Sequence, residues 1–166
     1  MVQRRIKISG SLKFTTLTSS SSKDQWSEEE EPFNSIIDSQ RPVLVAGSTR
    51  LGEEEKVLVA YRKLLEQYPN LLLLLVPRHP ERFSEIFEYC KKENFQVIKR
   101  SDGCAIDADA QIIIGDSMGE MPLYYSLATV AFVGGSLVDK GCQNIIEQAS
   151  LGKAIVTEPS QYNFQT

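Results

Sequence analysis

The sequence predicts an α/β fold in which helices cover both faces of a parallel β-sheet. First, short aliphatic runs such as Leu71–Val76 are apolar without interruption, which is typical of strands buried on both faces. Second, these runs alternate with amphipathic stretches. One such stretch places Val57, Tyr61 and Leu64 on a single helix face, because residues four and seven positions apart share that face. Strands that alternate with helices in this way form parallel sheets.

The elements follow one another in a Rossmann-like order from Arg41 onward. Pro80 suits the first turn of the second helix, because proline fixes a helical φ and needs no hydrogen bond there. The predicted strands are Val43–Ala46, Leu71–Val76, Phe95–Ile98, Gln111–Ile114, Thr129–Val133 and Ala154–Thr157. The predicted helices are Glu53–Tyr68, the stretch from Pro80 to Cys90, Gly119–Leu127 and Asn144–Leu151.

The first forty residues differ in composition from the rest. A serine run at Ser19–Ser22 and an acidic run at Glu28–Glu31 flank Trp26, and such segments bury too little apolar surface to order themselves. We therefore assign 1–40 to a short strand plus a flexible linker or insertion. We assign 41–166 to one Rossmann-like domain.

Composition narrows the class of protein. The chain has 166 residues, 18 Lys plus Arg against 22 Asp plus Glu, and a net charge of −4, so it lacks the basic footprint of a nucleic-acid-binding protein. No apolar run approaches the ~20 residues of a membrane span, and Met1–Leu12 lacks the apolar core of a signal peptide. Three cysteines without CxxC spacing and one histidine support neither a disulfide framework nor a zinc site. We expect a soluble, intracellular chain.

Small residues, hydroxyls and cations collect directly after the predicted strands. Ligands of parallel sheets bind beyond the carboxyl ends of the strands. Glycine turns let backbone N–H groups approach an anion, and arginine donates charge-assisted hydrogen bonds. Together the turns favour an anion site, although each one alone is ordinary turn chemistry. They are Gly47-Ser48-Thr49, Pro77-Arg78-His79, Arg100-Ser101, Gly115–Glu120 and Gly134-Gly135-Ser136.

Individual side chains at these positions have two interpretations. Arg78 follows a buried strand and could fork onto a phosphate, or it could form a surface ion pair with Glu81. His79 is more typical of a structural hydrogen-bonding residue than of a catalyst. Asn144 and Glu147 share one face at a predicted helix start, where they could bind a ribose or simply stabilise the helix N-terminus.

Standard nucleotide motifs are absent. Gly47 and Gly52 have the spacing of a phosphate-binding P-loop, but Glu53 and Glu54 follow where that loop needs Lys and a hydroxyl. Gly134-Gly135 is not part of a GxGxxG fingerprint. The sequence therefore supports neither an ATPase nor a dinucleotide enzyme.

Six motifs, in one order, resemble those of the 3-deoxy-D-manno-octulosonic acid (Kdo) transferases. They are Gly47-Ser48-Thr49, Pro77–Phe83, Arg100-Ser101, Gly115–Met121, Phe132–Leu137 and Gln143–Glu147. The resemblance runs from about Ile8 to the C-terminus, apart from residues 15–40. The chain departs from the family pattern at Arg50, where the family usually has His, and at Cys142 and Glu158, where it usually has Gly.

This resemblance implies a glycosyltransferase of the two-Rossmann-domain (GT-B) architecture. Such enzymes act at the cytoplasmic face of the bacterial inner membrane. They move Kdo from CMP-Kdo to a lipid A precursor in lipopolysaccharide biosynthesis, without a metal or other cofactor. The chain resembles their donor-binding C-terminal half, with an interdomain strand within residues 1–40. Since the family continues with further helices, the resemblance implies that 41–166 is a nucleotide-sugar-binding domain truncated at its C-terminus. The acceptor site, the membrane contact and the catalytic carboxylate would lie in the missing N-terminal half, so we expect no catalytic residue here and no transfer by this chain alone.

The resemblance also implies the donor contacts. Those to CMP would be Pro77, Arg78, Met118, Gly119, Glu120, Asn144, Ile145, Ile146 and Glu147; further phosphate or sugar contacts would come from Ser48, Gly134, Gly135 and Ser136. Two alternatives stay open. One is another nucleotide-sugar enzyme of this fold, a glycosyltransferase or an epimerase. The other is a non-catalytic remnant or binding module.

Overall fold

The computed structural model of the chain describes Phe33 and residues 41–103, 106, 109–138 and 149–157. Within these residues, six strands form one parallel sheet: β1 (Val43–Thr49), β2 (Leu72–Pro77), β3 (Val97–Lys99), β4 (Ile112–Ile114), β5 (Val130–Val133) and β6 (Ala154–Val156). Their order across the sheet is β3-β4-β2-β1-β5-β6. Three helices lie wholly within the described residues: α1 (Glu53–Gln67), α2 (Phe83–Lys92) and α3 (Met121–Leu127).

Strand β2 lies between β1 and β4 and is buried along its whole length. Its register pairs Leu74 with Val45 on one side and with Ile113 on the other. An uninterrupted aliphatic sequence suits this position, because both faces of the strand contact apolar side chains. The predicted α/β fold with a covered parallel sheet is thus confirmed.

Each face of the sheet has its own apolar layer. On one face, α1 and α2 place Tyr61 and Ile86 against Leu75. On the other face, α3 places Tyr124 against Leu74. The fully buried Tyr61 hydroxyl donates towards the backbone oxygens of Leu71 and Gln111 at 2.8 and 2.7 Å, and burial raises the pKa of Tyr61. The phenol therefore stays protonated, and it links α1 to the residues directly before β2 and β4.

Phe33 belongs to the core although it falls within the predicted linker. Its side chain is fully buried, and its ring centre lies 6.1 Å from that of Tyr124 in an edge-to-face arrangement, a favoured aromatic geometry. The Arg100 guanidinium lies 5.2 Å from the Phe33 ring centre. Apart from Phe33, residues 1–40 lie outside the described residues, and their assignment as a strand plus linker stays a prediction.

Most element boundaries match the periodicity, with local exceptions. Pro80 opens a 3₁₀ turn (Pro80–Arg82) that leads directly into α2. Helix α3 begins two residues later than the predicted start at Gly119, because Gly119 has φ +86° and belongs to the preceding loop. Of the predicted helix Asn144–Leu151, only residues 149–151 are described; residues 149–150 are helical, whereas Leu151 lies in a turn.

The described cysteine is a core residue. Cys90 is fully buried and free, and burial raises the pKa of its thiol to about 12. A buried free thiol of this kind packs as a small hydrophobe. Cys104 and Cys142 lie outside the described residues. Across the described part of the chain, no helix has both the length and the apolar character to cross a membrane.

Candidate functional site

The ends of the strands and the loops that follow them lie together at one edge of the sheet. We call this edge the carboxyl edge, and it comprises residues 47–50, 77–79, 100–101, 115–120 and 134–136. Backbone hydrogen bonds connect its central loops. The Arg78 amide donates to the Thr49 oxygen at 2.9 Å, and the Gly134 amide donates to the Gly47 oxygen at 2.9 Å. The turns that the sequence singled out therefore lie side by side, as the parallel topology predicts.

The loops after β1 and β5 approach too closely for a side chain between them. A Cβ atom at Gly134 would lie 2.3 Å from the backbone oxygen of Ser48. Ser48 itself has φ +55°, the left-handed conformation that non-glycine residues rarely adopt. Glycine at 134 is therefore required by packing against β1.

Glu53 holds the turn after β5, a role that the sequence analysis missed. Its carboxylate is fully buried. The Gly135 amide donates to both of its oxygens at 2.9 and 2.8 Å, the Leu137 amide donates at 2.9 Å, and the Arg50 amide donates at 2.8 Å. The sequence analysis used Glu53 only as an argument against a P-loop. In the structure, its carboxylate occupies the position that an anion would take among these amides.

This arrangement bears on the predicted phosphate or sugar contacts from the turn after β5. The amides of Gly134 and Gly135 already donate within the protein, to the Gly47 oxygen and to Glu53. The Ser136 hydroxyl is buried and donates to the Val133 oxygen at 3.2 Å. The phosphate or sugar contacts predicted at this turn therefore stay a prediction. The observed hydrogen bonds of the turn hold it against β1 and Glu53.

Glu54 forms a buried ion pair beneath the edge. The Glu54 side chain is 2% exposed, and its Oε1 accepts from Arg82 Nη1 at 2.6 Å. The same oxygen accepts from the Thr49 hydroxyl at 3.0 Å. Because the Thr49 oxygen in turn accepts the Arg78 amide, this pair fixes the backbone from which Arg78 projects.

Arg78 is exposed and directly follows Pro77, the buried last residue of β2. Its guanidinium has no ion pair or hydrogen bond with any residue that the structure describes. The alternative ion pair between Arg78 and Glu81 is not formed. Glu81 Oε1 instead lies 3.9 Å from Nδ1 of the half-exposed His79. The structure therefore places at the carboxyl edge a positively charged guanidinium that has no acidic partner among the described residues.

Glu120 is the centre of a polar network at the start of α3. Its carboxylate pairs with Arg100 Nη2 at 2.9 Å and accepts from the Tyr124 hydroxyl at 2.7 Å. Ser117 Oγ contacts both Glu120 and the Tyr124 hydroxyl. Burial raises the pKa of Tyr124, so the phenol stays a donor. A carboxylate with a cation and two hydroxyls around it is suited to fixing local geometry.

The loop between β4 and α3 presents the remaining described contacts. Met118 is 75% exposed, which is unusual for a large apolar side chain, and Gly119 beside it has open space on its Cα. Asp116 accepts from the amide and hydroxyl of Ser101 at 2.8 and 2.6 Å, which ties this loop to the loop after β3. The predicted contacts at Asn144–Glu147 lie outside the described residues, as do Cys142 and Glu158.

Comparison with known proteins assigns the chain to a family, although no family model matches it. The 3-deoxy-D-manno-octulosonic acid transferase of Haemophilus influenzae is 40% identical over 162 residues, which are 98% of this chain and 37% of that protein. The enzyme of the same description from Bordetella pertussis is 37% identical over 129 residues, 75% of this chain and 30% of that protein. The chain thus spans about a third of the length of these curated relatives.

A solved structure matches the fold as well as the sequence. The crystal structure of the C-terminal CMP-Kdo binding domain of WaaA from Acinetobacter baumannii superposes with a TM-score of 0.76 at 39% sequence identity. The match covers 83% of this chain and 72% of that domain. The resemblance carried by the six motifs is thereby confirmed, and the chain belongs to the 3-deoxy-D-manno-octulosonic acid transferase family.

Proposed function

We propose that this chain is the donor-binding part of a Kdo transferase and that it binds CMP-Kdo at the carboxyl edge. The observation that carries the proposal is the exposed Arg78 guanidinium, which stands on a fixed backbone without an acidic partner in the described part of the chain. The similarity to a CMP-Kdo binding domain supplies the identity of the donor. A forked guanidinium matches the geometry of phosphate oxygens.

The chemistry of transfer explains why Arg78 would do more than hold the donor. When the bond between the sugar and CMP breaks, its electron pair moves onto the phosphate oxygen of the leaving CMP. Negative charge therefore grows on the phosphate towards the transition state. A guanidinium aimed at this oxygen stabilises the transition state more than the ground state, which is the requirement for catalysis.

We assign the other donor contacts as the family resemblance implies. Met118 would cover the base with its exposed thioether, beside the open Gly119, while Arg100 holds Glu120 in place for the nucleotide. The full proposed set is Pro77, Arg78, Met118, Gly119, Glu120 and Asn144–Glu147 for CMP, with Ser48 and Gly134–Ser136 as further phosphate or sugar contacts.

In the whole enzyme, we propose that a second domain supplies the acceptor site and the general base. A base is needed to remove the proton of the acceptor hydroxyl. The acceptor would be a lipid A precursor at the cytoplasmic face of the inner membrane, and the product would enter lipopolysaccharide biosynthesis. We propose that the reaction needs no metal or cofactor, and that this chain alone binds donor without transferring Kdo.

Binding of CMP to the purified chain tests the proposal. We expect saturable binding by isothermal titration calorimetry, with CMP preferred over UDP and GDP. The Arg78→Ala variant loses charge-assisted hydrogen bonds worth ~1.5–3 kcal/mol and should bind about ten to a hundred times more weakly. Arg62→Ala is the matched control, because Arg62 forms an exposed ion pair with Glu93 away from the edge.

The alternatives predict different outcomes. Preference for UDP would indicate another nucleotide-sugar enzyme of this fold. Absence of CMP binding by the parent chain, or equal binding by the parent and Arg78→Ala, would indicate a remnant or a module that does not use the edge.

A further inference from the structure

Arg50 is the second arginine at the carboxyl edge that has no acidic partner among the described residues, and it is not among the donor contacts assigned above. It directly follows β1. Its Nε is shielded from solvent and has no hydrogen-bond partner in the part of the chain that the structure describes. A buried donor without an acceptor is unfavourable and rare in folded proteins. An anionic group bound at this edge would supply the missing acceptor.

Both polar groups of the Arg50 backbone, its amide and its carbonyl oxygen, form hydrogen bonds. Its amide donates to Glu53 Oε2 at 2.8 Å, and its oxygen accepts the Glu53 amide at 2.9 Å. The side chain therefore starts from a constrained position beside Thr49, whose oxygen accepts the Arg78 amide. Two guanidinium-bearing residues thus stand on adjacent strands of the carboxyl edge.

Glu53 and Glu54, the acidic residues that follow Arg50 most closely in the sequence, form no ion pair with its guanidinium. The oxygens of Glu53 accept backbone amides, and Glu54 accepts from Arg82. Every other arginine in the described part of the chain has acceptors: Arg41 donates to the oxygens of Asn70 and Ala110, Arg62 pairs with Glu93, Arg82 with Glu54 and Arg100 with Glu120. The two exceptions, Arg50 and Arg78, are neighbours at the proposed site.

We propose that Arg50 binds the carboxylate of the donor sugar while Arg78 binds the phosphate. This rests on the proposed function. CMP-Kdo carries two anionic groups, the phosphodiester and the carboxylate of an octulosonic acid, which is ionised at neutral pH. With the phosphate assigned to Arg78, the carboxylate is the anion left for the second guanidinium. Arg50 is thereby a specificity residue for an acidic sugar.

Comparing CMP with CMP-Kdo tests this assignment. The dissociation constants of both are measured for the parent chain and for Arg50→Gln, Arg50→Lys and Arg62→Gln. We expect Arg50→Gln to weaken CMP-Kdo at least tenfold and CMP less than twofold, Arg50→Lys to restore part of the loss, and Arg62→Gln to change neither.

Failure of this inference is distinguishable from failure of the proposed function. If the parent chain binds neither ligand, both are overturned. If the parent binds and Arg78→Ala weakens both ligands, while Arg50→Gln weakens neither or weakens both equally, only the assignment of Arg50 to the carboxylate is overturned. A selective loss of CMP-Kdo by Arg50→Gln, with thermal stability equal to that of the parent, supports it.

Discussion

The Glu53→Gln variant tests whether this carboxylate organises the carboxyl edge. Glu53 Oε1 accepts the Gly135 and Leu137 amides, and Oε2 accepts the Gly135 and Arg50 amides. In either orientation, a glutamine retains one acceptor oxygen and turns its NH₂ group towards two backbone N–H groups. The Gly135 amide keeps the remaining oxygen, while either the Leu137 or the Arg50 amide loses its acceptor. One hydrogen bond to a charged group is lost and one buried donor is left unsatisfied, so we expect a loss of about 2–3 kcal/mol in unfolding free energy.

Denaturant and thermal unfolding measure this loss. For a chain of this size, 2–3 kcal/mol corresponds to a decrease of about 4–12 °C in the melting temperature. ¹H–¹⁵N NMR adds a local measurement, because the Gly135 amide, or its neighbours at Leu137 and Arg50, should shift when the charged acceptor is removed. CMP affinity should fall as well, since Glu53 joins the turn after β5 to the backbone of Arg50, next to Thr49, whose oxygen accepts the Arg78 amide.

Glu54→Gln is the matched control. Glu54 is equally buried and adjacent, but it binds Arg82 and the Thr49 hydroxyl. Breaking a buried ion pair is also destabilising, yet the Gly135 and Leu137 amide signals should keep their parent positions. Glu53→Gln with a stability loss under ~1 kcal/mol and unchanged amide signals would refute the role of Glu53, because a charge-assisted hydrogen bond alone is worth more.

Two further predictions concern packing and ionisation. Gly134→Ala places a Cβ atom 2.3 Å from the Ser48 oxygen, so we expect the unfolding free energy measured by chemical denaturation to fall by ~1–3 kcal/mol and CMP binding to weaken. Gly103→Ala is the control, because nothing lies within 4 Å of a Cβ atom there. It should lower the unfolding free energy only by the ~1–2 kcal/mol of a left-handed backbone and leave CMP binding intact. Burial raises the pKa of Cys90 to about 12, so the stability that the neutral thiol contributes is complete below pH 9 and is lost as the pH rises from about 9 towards 12. The Cys90→Ala variant should therefore show a flatter dependence of unfolding free energy on pH in this range. An unchanged slope would contradict the raised pKa of Cys90.

Periodicity in the sequence was enough to predict the elements of the fold. The apolar run of β2 and the helical spacing of Val57 and Tyr61 in α1 each indicate one element without knowledge of the others. The end of β1 was less predictable. The strand continues through Ser48 and Thr49, polar residues that are accommodated because they meet the loops after β5 and β2.

The roles of Glu53 and Phe33 could not be predicted in the same way. Three consecutive glutamates at a helix start are typically solvated, and their charge favours the helix N-terminus. Glu53 is buried because the turn at Gly135, 82 residues later in the chain, brings its amides to the carboxylate. Phe33 is buried because α3 presents Tyr124 to it. Both roles depend on long-range contacts that no local pattern contains.

For a chain with a net charge of −4, the proposed binding of an anionic donor depends on the local environment of the carboxyl edge and not on the net charge. Four carboxylates at or beneath the edge are each engaged within the protein: Glu53 by backbone amides, Glu54 by Arg82, Asp116 by Ser101 and Glu120 by Arg100. Charges farther away are screened by salt over ~8 Å. On the proposed assignment, a nucleotide sugar at this edge would meet Arg50 and Arg78, the two guanidiniums that form no ion pair with a described residue. Two positive charges on adjacent strands match the two negative charges of a CMP-linked acidic sugar, whereas a neutral sugar would leave one of them uncompensated.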